Sequence, residues 1–325
     1  LIVHLDCDDG VQTATLPSTT NSVVHALDTD LDQVEAARMR LKSAGRYGQV
    51  TVGWFDGKRL PYTDNLVNLL VSEKATSVPM AEIMRVLAPR GLAYINGKKT
   101  VKPWPSDIDE WTHFLHGADG NAVAKDERIH NPRRVQWWCG PRHSRDHDAL
   151  ASMSAMVSCQ GKLFYILDEG LISHIHHPAD WQLIARDAFN GVLLWKRSIP
   201  DWITHLYSFR VGPVWLGRKL VAVDDRVYTT LGFNAPVSAL DTVTGETKLS
   251  YAGSEKTEEI VCHDGVLLLA IGDPGAMNKY APKPNLYEEI RDENGPRFKR
   301  AVVAYDAKTG NELWRRDEVN LANYV

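Results

Sequence analysis

One segment recurs three times in the second half of the chain, and it restricts the folds open to the sequence. Residues 185–195 read Ala-Arg-Asp-Ala-Phe-Asn-Gly-Val-Leu-Leu-Trp. Residues 239–249 read Ala-Leu-Asp-Thr-Val-Thr-Gly-Glu-Thr-Lys-Leu, and residues 304–314 read Ala-Tyr-Asp-Ala-Lys-Thr-Gly-Asn-Glu-Leu-Trp. Each copy sets an Asp two residues after an Ala and a Gly four residues later. Two copies add a Trp four residues after the Gly. By residue number, Asp187, Asp241 and Asp306 stand 54 and 65 positions apart. Repeats of about this length signify one supersecondary unit laid down again and again.

Two β-rich runs split by a turn precede each copy. They are residues 156–159 and 162–167, 220–223 and 226–231, and 259–262 and 266–271. Short β-branched runs separated by Gln-Gly, Asp-Asp or Asp-Gly read as hairpins. The repeat adds a third strand, a turn and a fourth strand, so each unit is a four-stranded antiparallel sheet, as in a propeller blade. In this reading Gly191, Gly245 and Gly310 supply positive φ. Asp187, Asp241 and Asp306 accept backbone amides, and Trp195 and Trp314 offer apolar faces for packing between units. These eight residues are architecture, not chemistry.

The run Ala-x-Asp-x-x-Thr-Gly-x-Glu-x-Trp, complete at residues 304–314, resembles the tryptophan-docking motif of quinoprotein (PQQ-like) β-propeller repeats. The first copy has Asn190 in place of Thr, and the second has Leu249 in place of Trp. The resemblance covers about residues 151–325 and implies an all-β, partial propeller of about three four-stranded blades. It does not imply bound quinone, since many proteins with this repeat are scaffolds; PQQ is not expected on this stretch alone.

Residues 1–100 have another texture. Strand candidates at 1–5, 22–27, 49–55, 65–71 and 92–95 alternate with helical patterns at 31–44 and 78–87, which argues for a doubly wound α/β unit. Four segments resemble class I S-adenosylmethionine-dependent methyltransferases. His4-Leu5-Asp6-Cys7-Asp8-Asp9-Gly10 stands where that family has its glycine-rich loop. Leu27-Asp28-Thr29-Asp30 stands where an acidic residue holds the ribose. Phe55-Asp56-Gly57-Lys58 resembles the segment after strand three, and Arg85-Val86-Leu87-Ala88-Pro89-Arg90-Gly91 resembles the family's Arg-Val-Leu-x-Pro-Gly-Gly run. The likeness implies a Rossmann-like domain, with S-adenosylmethionine the cofactor to test and Asp6, Asp8, Gly10, Asp28 and Asp56 at its site. The departure lies in the loop. Asp6 and Asp8 replace glycines that serve strained dihedrals and close backbone approach, and each sets a negative charge where the cofactor's carboxylate would lie. The module therefore reads as degenerate.

Residues 101–150 form a Pro-, Trp- and His-rich connector. If helical, the run 107–116 sets Asp109, His113 and His116 on one face, at i, i+4 and i+7, as candidate metal ligands. Further histidines lie at 143–147 and 174–177, and residues 273–300 read as an insertion in the third blade. Cys7, Cys139, Cys159 and Cys262 are scattered and form no paired motif. A net charge of −4 gives no argument for nucleic acid or a membrane surface, and no apolar stretch is long enough to span a bilayer.

The opening Leu1-Ile2-Val3 inside a strand, and a count of about three blades, lead us to expect a fragment. Remaining blades, in the same chain or on a protein partner, would close the ring. The resemblance to fused methyltransferase-like and PQQ-like repeat proteins implies an exported, periplasmic location. Three functions compete: a non-catalytic binding or scaffold protein, an active methyltransferase targeted by its propeller, and part of a quinoprotein oxidoreductase.

Overall fold

A computed structural model describes residues 1–16, 22–128, 131, 135–140, 153–173, 177–203, 214–272 and 299–321. The chain divides into two compact units. Residues 1–108, 127–138 and 187–192 form the first, and residues 109–126, 139–186 and 193–325 form the second.

The first unit is built on one six-stranded sheet. Its strands are β1 (Ile2–Leu5), β2 (Val24–Asp28), β3 (Val50–Trp54), β4 (Val67–Ser72), β5 (Leu87–Ile95) and β6 (Lys98–Val101), in the order β3-β2-β1-β4-β5-β6. The first five are parallel, and β6 runs antiparallel to β5. Parallel strands need crossovers, and two of these are helices whose apolar residues pack on the sheet. Val34, Ala37 and Leu41 of α1 (Leu31–Ser43) pack on Val24, Ala26, Val50 and Val52. Ile83 and Val86 of α2 (Met80–Val86) pack on Val3, Leu5, Val67 and Leu70. Asp30 caps α1, its carboxylate accepting the Asp32 amide at 2.8 Å.

Two local expectations change. Residues 88–91 do not merely stop α2; they are already in β5. Their backbone pairs with that of Lys102, the Arg90 amide on Lys102 O and the Lys102 amide on Gly91 O, both at 2.9 Å. Strand β6 was not expected at all. It folds back through Asn96 and Gly97, both at positive φ (46° and 74°).

The second unit holds three four-stranded antiparallel sheets. The first comprises β7 (Met153–Cys159), β8 (Lys162–Asp168), β9 (Trp181–Asp187) and β10 (Leu193–Ser198). The second comprises β11 (Leu220–Val223), β12 (Arg226–Thr230), β13 (Val237–Asp241) and β14 (Thr247–Ser250). The third comprises β15 (Thr257–His263), β16 (Val266–Ile271), β17 (Lys299–Asp306) and β18 (Glu312–Asn320). In each, every strand pairs with its neighbours in sequence. Consecutive sheets share cores. Val157, Phe164, Leu183 and Trp195 cluster with Leu220, Val227 and Leu240, and Tyr228, Ala239 and Tyr251 cluster with Ile260, Leu267 and Val303. Such sheets are compatible with propeller blades. The expected insertion lies, through residue 298, outside the described residues, as do the histidines at 143, 147, 174 and 176. Among the described residues no helix is long and apolar enough to cross a membrane.

Candidate functional site

In an open α/β sheet, ligands bind beyond the carboxyl ends of the strands where the strand order reverses. Here that point lies between β1 and β4. The residues that follow β1 are Asp6 to Gly10, and those at the end of β4 are Ser72, Glu73 and Lys74. Side chains join the two loops across the crevice. Lys74 Nζ donates to both Asp8 oxygens, at 2.8 and 2.6 Å. Ser72 Oγ donates to Asp6 Oδ2 at 3.2 Å. His4, buried, holds Glu73 Oε2 at 2.9 Å through Nε2 and Thr13 Oγ1 at 2.8 Å through Nδ1. The carboxylate can only accept, so Nε2 carries a proton and, in neutral imidazole, Nδ1 accepts the threonine hydroxyl.

The loop conformation corrects one premise drawn from the sequence. Asp6 and Asp8 take φ of 54° and 45°, the left-handed region for which glycine is favoured. Asp tolerates that region better than most residues because its short side chain bonds locally. The dihedral demand is therefore met without glycine, and the objections from charge and from the added Cβ stand. Lys74 neutralises part of that charge, and Asp8 in turn raises the Lys74 pKa. Gly10 (φ 79°) remains necessary, since a Cβ there would lie 2.7 Å from that of Ala37 on α1.

Asp28, at the end of β2, is buried and already engaged. Its Oδ2 accepts the Asp8 amide at 2.9 Å and its Oδ1 accepts the Asp30 amide at 3.0 Å. Asp56 accepts the amides of Lys58 and Arg59, both at 2.9 Å, and these bonds hold its carboxyl below the usual range. Both aspartates therefore act as turn and loop acceptors. Burial, with Asp28 nearby, pushes the Cys7 thiol up to about 12, so it is not a nucleophile at neutral pH.

A ribose-bearing cofactor with an amino-acid tail fits these residues poorly. Asp28 is buried, and each of its oxygens already accepts one amide, which leaves one further acceptor site on each. A ligand carboxylate near Asp6 or Asp8 would meet like charge, worth about 1 kcal/mol at 4 Å in water and about 4 kcal/mol at an effective dielectric of 20. Lys74, Ser72 and Glu73, which meet the residues after β1, were not singled out in the sequence, because 66 residues separate Lys74 from Asp8.

The connector holds its own surprise. Residues 109–116 are not helical. They run across the first strands of the three sheets instead. Trp111 N and O bond Ser158 of β7 at 2.9 and 2.7 Å, Thr112 O accepts the Ala222 amide of β11 at 3.0 Å, and His113 Nε2 accepts the Cys262 amide of β15 at 3.1 Å. That last bond fixes the tautomer: Nδ1 carries the proton and donates to Thr112 Oγ1 at 2.8 Å. Burial lowers the His113 pKa to about 4. His116 Nε2 lies 2.7 Å from Asp109 Oδ2, so the structure joins two of the three candidate metal ligands and turns His113 elsewhere. Among the described residues no group of three or more His, Cys, Asp or Glu is placed to hold a metal.

The repeated turns share one pattern. Asp187, Asp241 and Asp306 each accept two amides, from residues two and three positions on, at 2.7 to 3.0 Å. Gly191, Gly245 and Gly310 have φ of 71°, 73° and 79°. A side chain covers each glycine. Trp137 lies on Gly191 and donates from Nε1 to Ala188 O at 2.9 Å. Trp195 lies on Gly245, where an added Cβ would be 2.6 Å from Cδ2, and donates to Thr242 O at 3.1 Å. At Gly310 the cover is Leu249, which has no N–H; the Tyr251 hydroxyl supplies the missing donor, to Ala307 O at 2.6 Å. In all three cases the acceptor is the carbonyl of the residue after the Asp.

No protein-family model matches the chain, and no curated protein matches it in sequence. Solved methyltransferase structures align with its first part. The [4+2]-cyclase SpnF is 20% identical over 28% of this chain and 36% of its own, with a TM-score of 0.25. A geranyl diphosphate methyltransferase in complex with SAM is 17% identical over 28% and 39%, with a TM-score of 0.26. A SAM-dependent methyltransferase from Aquifex aeolicus is 19% identical over 28% and 53%, with a TM-score of 0.26. The chain thus spans between about a third and a half of the length of these proteins.

Proposed function

We propose that this chain is a binding or scaffold protein that pairs a degenerate methyltransferase-like module with PQQ-like propeller sheets. The observation that carries this reading is the engagement of Asp28 by the Asp8 and Asp30 amides beneath a crevice bridged by Lys74 and Asp8. A buried carboxylate already held by two amides has fewer acceptor sites to offer a ribose, and acidic residues at the loop disfavour the cofactor's own carboxylate. Positioning is the main thing a methyltransferase supplies to its substrates, and a bridged crevice removes it. The sheets then serve as the surface through which the protein meets its partners, further blades or another protein.

Calorimetric titration with S-adenosylmethionine tests this, on the unaltered chain and on the double variant Asp6→Gly/Asp8→Gly. The reading expects no binding by the unaltered chain, and a gain only in the variant. Micromolar binding by the unaltered chain would restore the active methyltransferase reading.

A further inference from the structure

Within the second unit, a cleft of about 370 Å³ lies at the first hairpins of the second and third sheets. Asp224 and Asp225 line it from the turn between β11 and β12, and Asp264 from the turn between β15 and β16. Tyr228 and Cys262, each only 4% exposed, line it as well, and Val223 and Ala307 add apolar wall. The volume is that of a site for a small organic molecule.

Two features specify the occupant. The first is the Tyr228 hydroxyl. Tyr228 holds in the second sheet the place of Phe164 in the first, since Phe164 pairs with Val157 and Tyr228 with Val221 in the same register. Phe164 is fully buried, so packing at this position asks only for a ring. The hydroxyl that Tyr228 adds sits beside the Cys262 sulfur, a weak partner. Among the described residues nothing donates a hydrogen bond to its oxygen. A buried phenol oxygen with unused lone pairs, lining an open cleft, calls for a donor. The second feature is charge. The lining holds three aspartates and no lysine or arginine. Asp225 is paired with Arg226 at 2.9 Å and Asp264 lies 3.3 Å from His263, while the Asp224 carboxylate has no such partner among the described residues. An anion is repelled from such a lining and a cation is held. The acids are not grouped to hold a metal ion, so the cation is organic. We propose that this cleft binds a primary ammonium on a short apolar body, the ammonium donating to the Tyr228 oxygen and to the aspartates and the body lying on Val223 and Ala307. The inference goes beyond the scaffold reading and does not depend on whether the first unit binds a cofactor.

The probe is 2-phenylethylamine, with 2-phenylethanol as its uncharged counterpart. The chain is labelled with ¹⁵N-cysteine, which gives one amide resonance for each of Cys7, Cys139, Cys159 and Cys262. The Cys262 resonance is assigned with Cys262→Ala. Its amide, bonded to His113 Nε2 at 3.1 Å, reports on the cleft. On titration with the amine the Cys262 amide alone moves and saturates, with a dissociation constant on the order of 0.1–1 mM for so small a ligand. The alcohol binds about tenfold more weakly. Tyr228→Phe, which copies Phe164, and Asp224→Asn, which alters one exposed turn residue at a φ of 53° that Asn tolerates, each weaken the amine about fivefold. The Asp224→Asn result decides even if the first variant does not fold. No movement of the Cys262 amide up to several millimolar amine, equal affinity for the alcohol, unchanged affinity in Asp224→Asn or in a folded Tyr228→Phe, or movement of all four amides together overturns the proposal.

Discussion

Gly245→Ala isolates what the covering tryptophan contributes to the packing between sheets. Two terms add. Alanine at φ 73° bears the left-handed penalty, about 1 kcal/mol. Its Cβ would also fall 2.6 Å from Cδ2 and 2.7 Å from Cε3 of Trp195, both rigid ring atoms, so the indole must move and its bond to Thr242 O is lost. That bond is buried, and leaving its partners unmet costs about 1–3 kcal/mol. The total is about 3 kcal/mol. Gly265→Ala provides the comparison. Its φ is 76°, and nothing lies within 4 Å of the added carbon, so it bears only the first term. Urea unfolding of both variants, followed by tryptophan fluorescence, should separate them by about 2 kcal/mol. Equal destabilisation would refute the docking argument, because it would leave only the backbone term.

Tyr251→Phe keeps the ring against Tyr228 and Tyr305, with centroids 6.4 and 5.5 Å away, but deprives Ala307 O of its donor. The expected loss is about 1–2 kcal/mol in the same urea assay, and adding Leu249→Trp should recover part of it by supplying an indole N–H. His113 sets an acid limit. Its folded pKa, about 4, lies below its ordinary 6.5, so the unfolded chain binds the extra proton first and stability falls as pH drops from about 6.5 to 4. The greatest loss is about 3 kcal/mol, modified by the neighbouring His263, Asp119 and Glu259. Stability measured against pH should fall less steeply across that window in His113→Gln than in the unaltered chain.

What the sequence discloses about this molecule is mostly what is local. The Asp-x-x-x-Gly spacing, the two-residue turns at Gln160-Gly161 and Asp264-Gly265, and the period-two runs between them specify twelve strands in three sheets, because turn chemistry acts over a few residues. Asn96-Gly97 carries the same kind of signal. It marks the hairpin to β6, where Lys98-Lys99 on an exposed edge strand hides the apolar pattern. The crevice is another matter. Asp6, Asp8 and Asp28 are visible in the sequence, but the side chains that bridge them follow β4, and only the folded sheet brings β4 beside β1. The connector fails for a related reason. Asp109, His113 and His116 have helical spacing, yet the amides and hydroxyl of Ser158, Ala222 and Cys262 offer that stretch a better set of partners than a lone helix would. Leu249 looks like a lost tryptophan until Tyr251 is seen to supply the missing proton.

Equilibrium dialysis of the unaltered chain against labelled S-adenosylmethionine tests the central claim most directly, that the methyltransferase-like module does not bind this cofactor. With both at about 100 μM, the account predicts no label retained above a protein-free control. Retention approaching one equivalent per chain would contradict it.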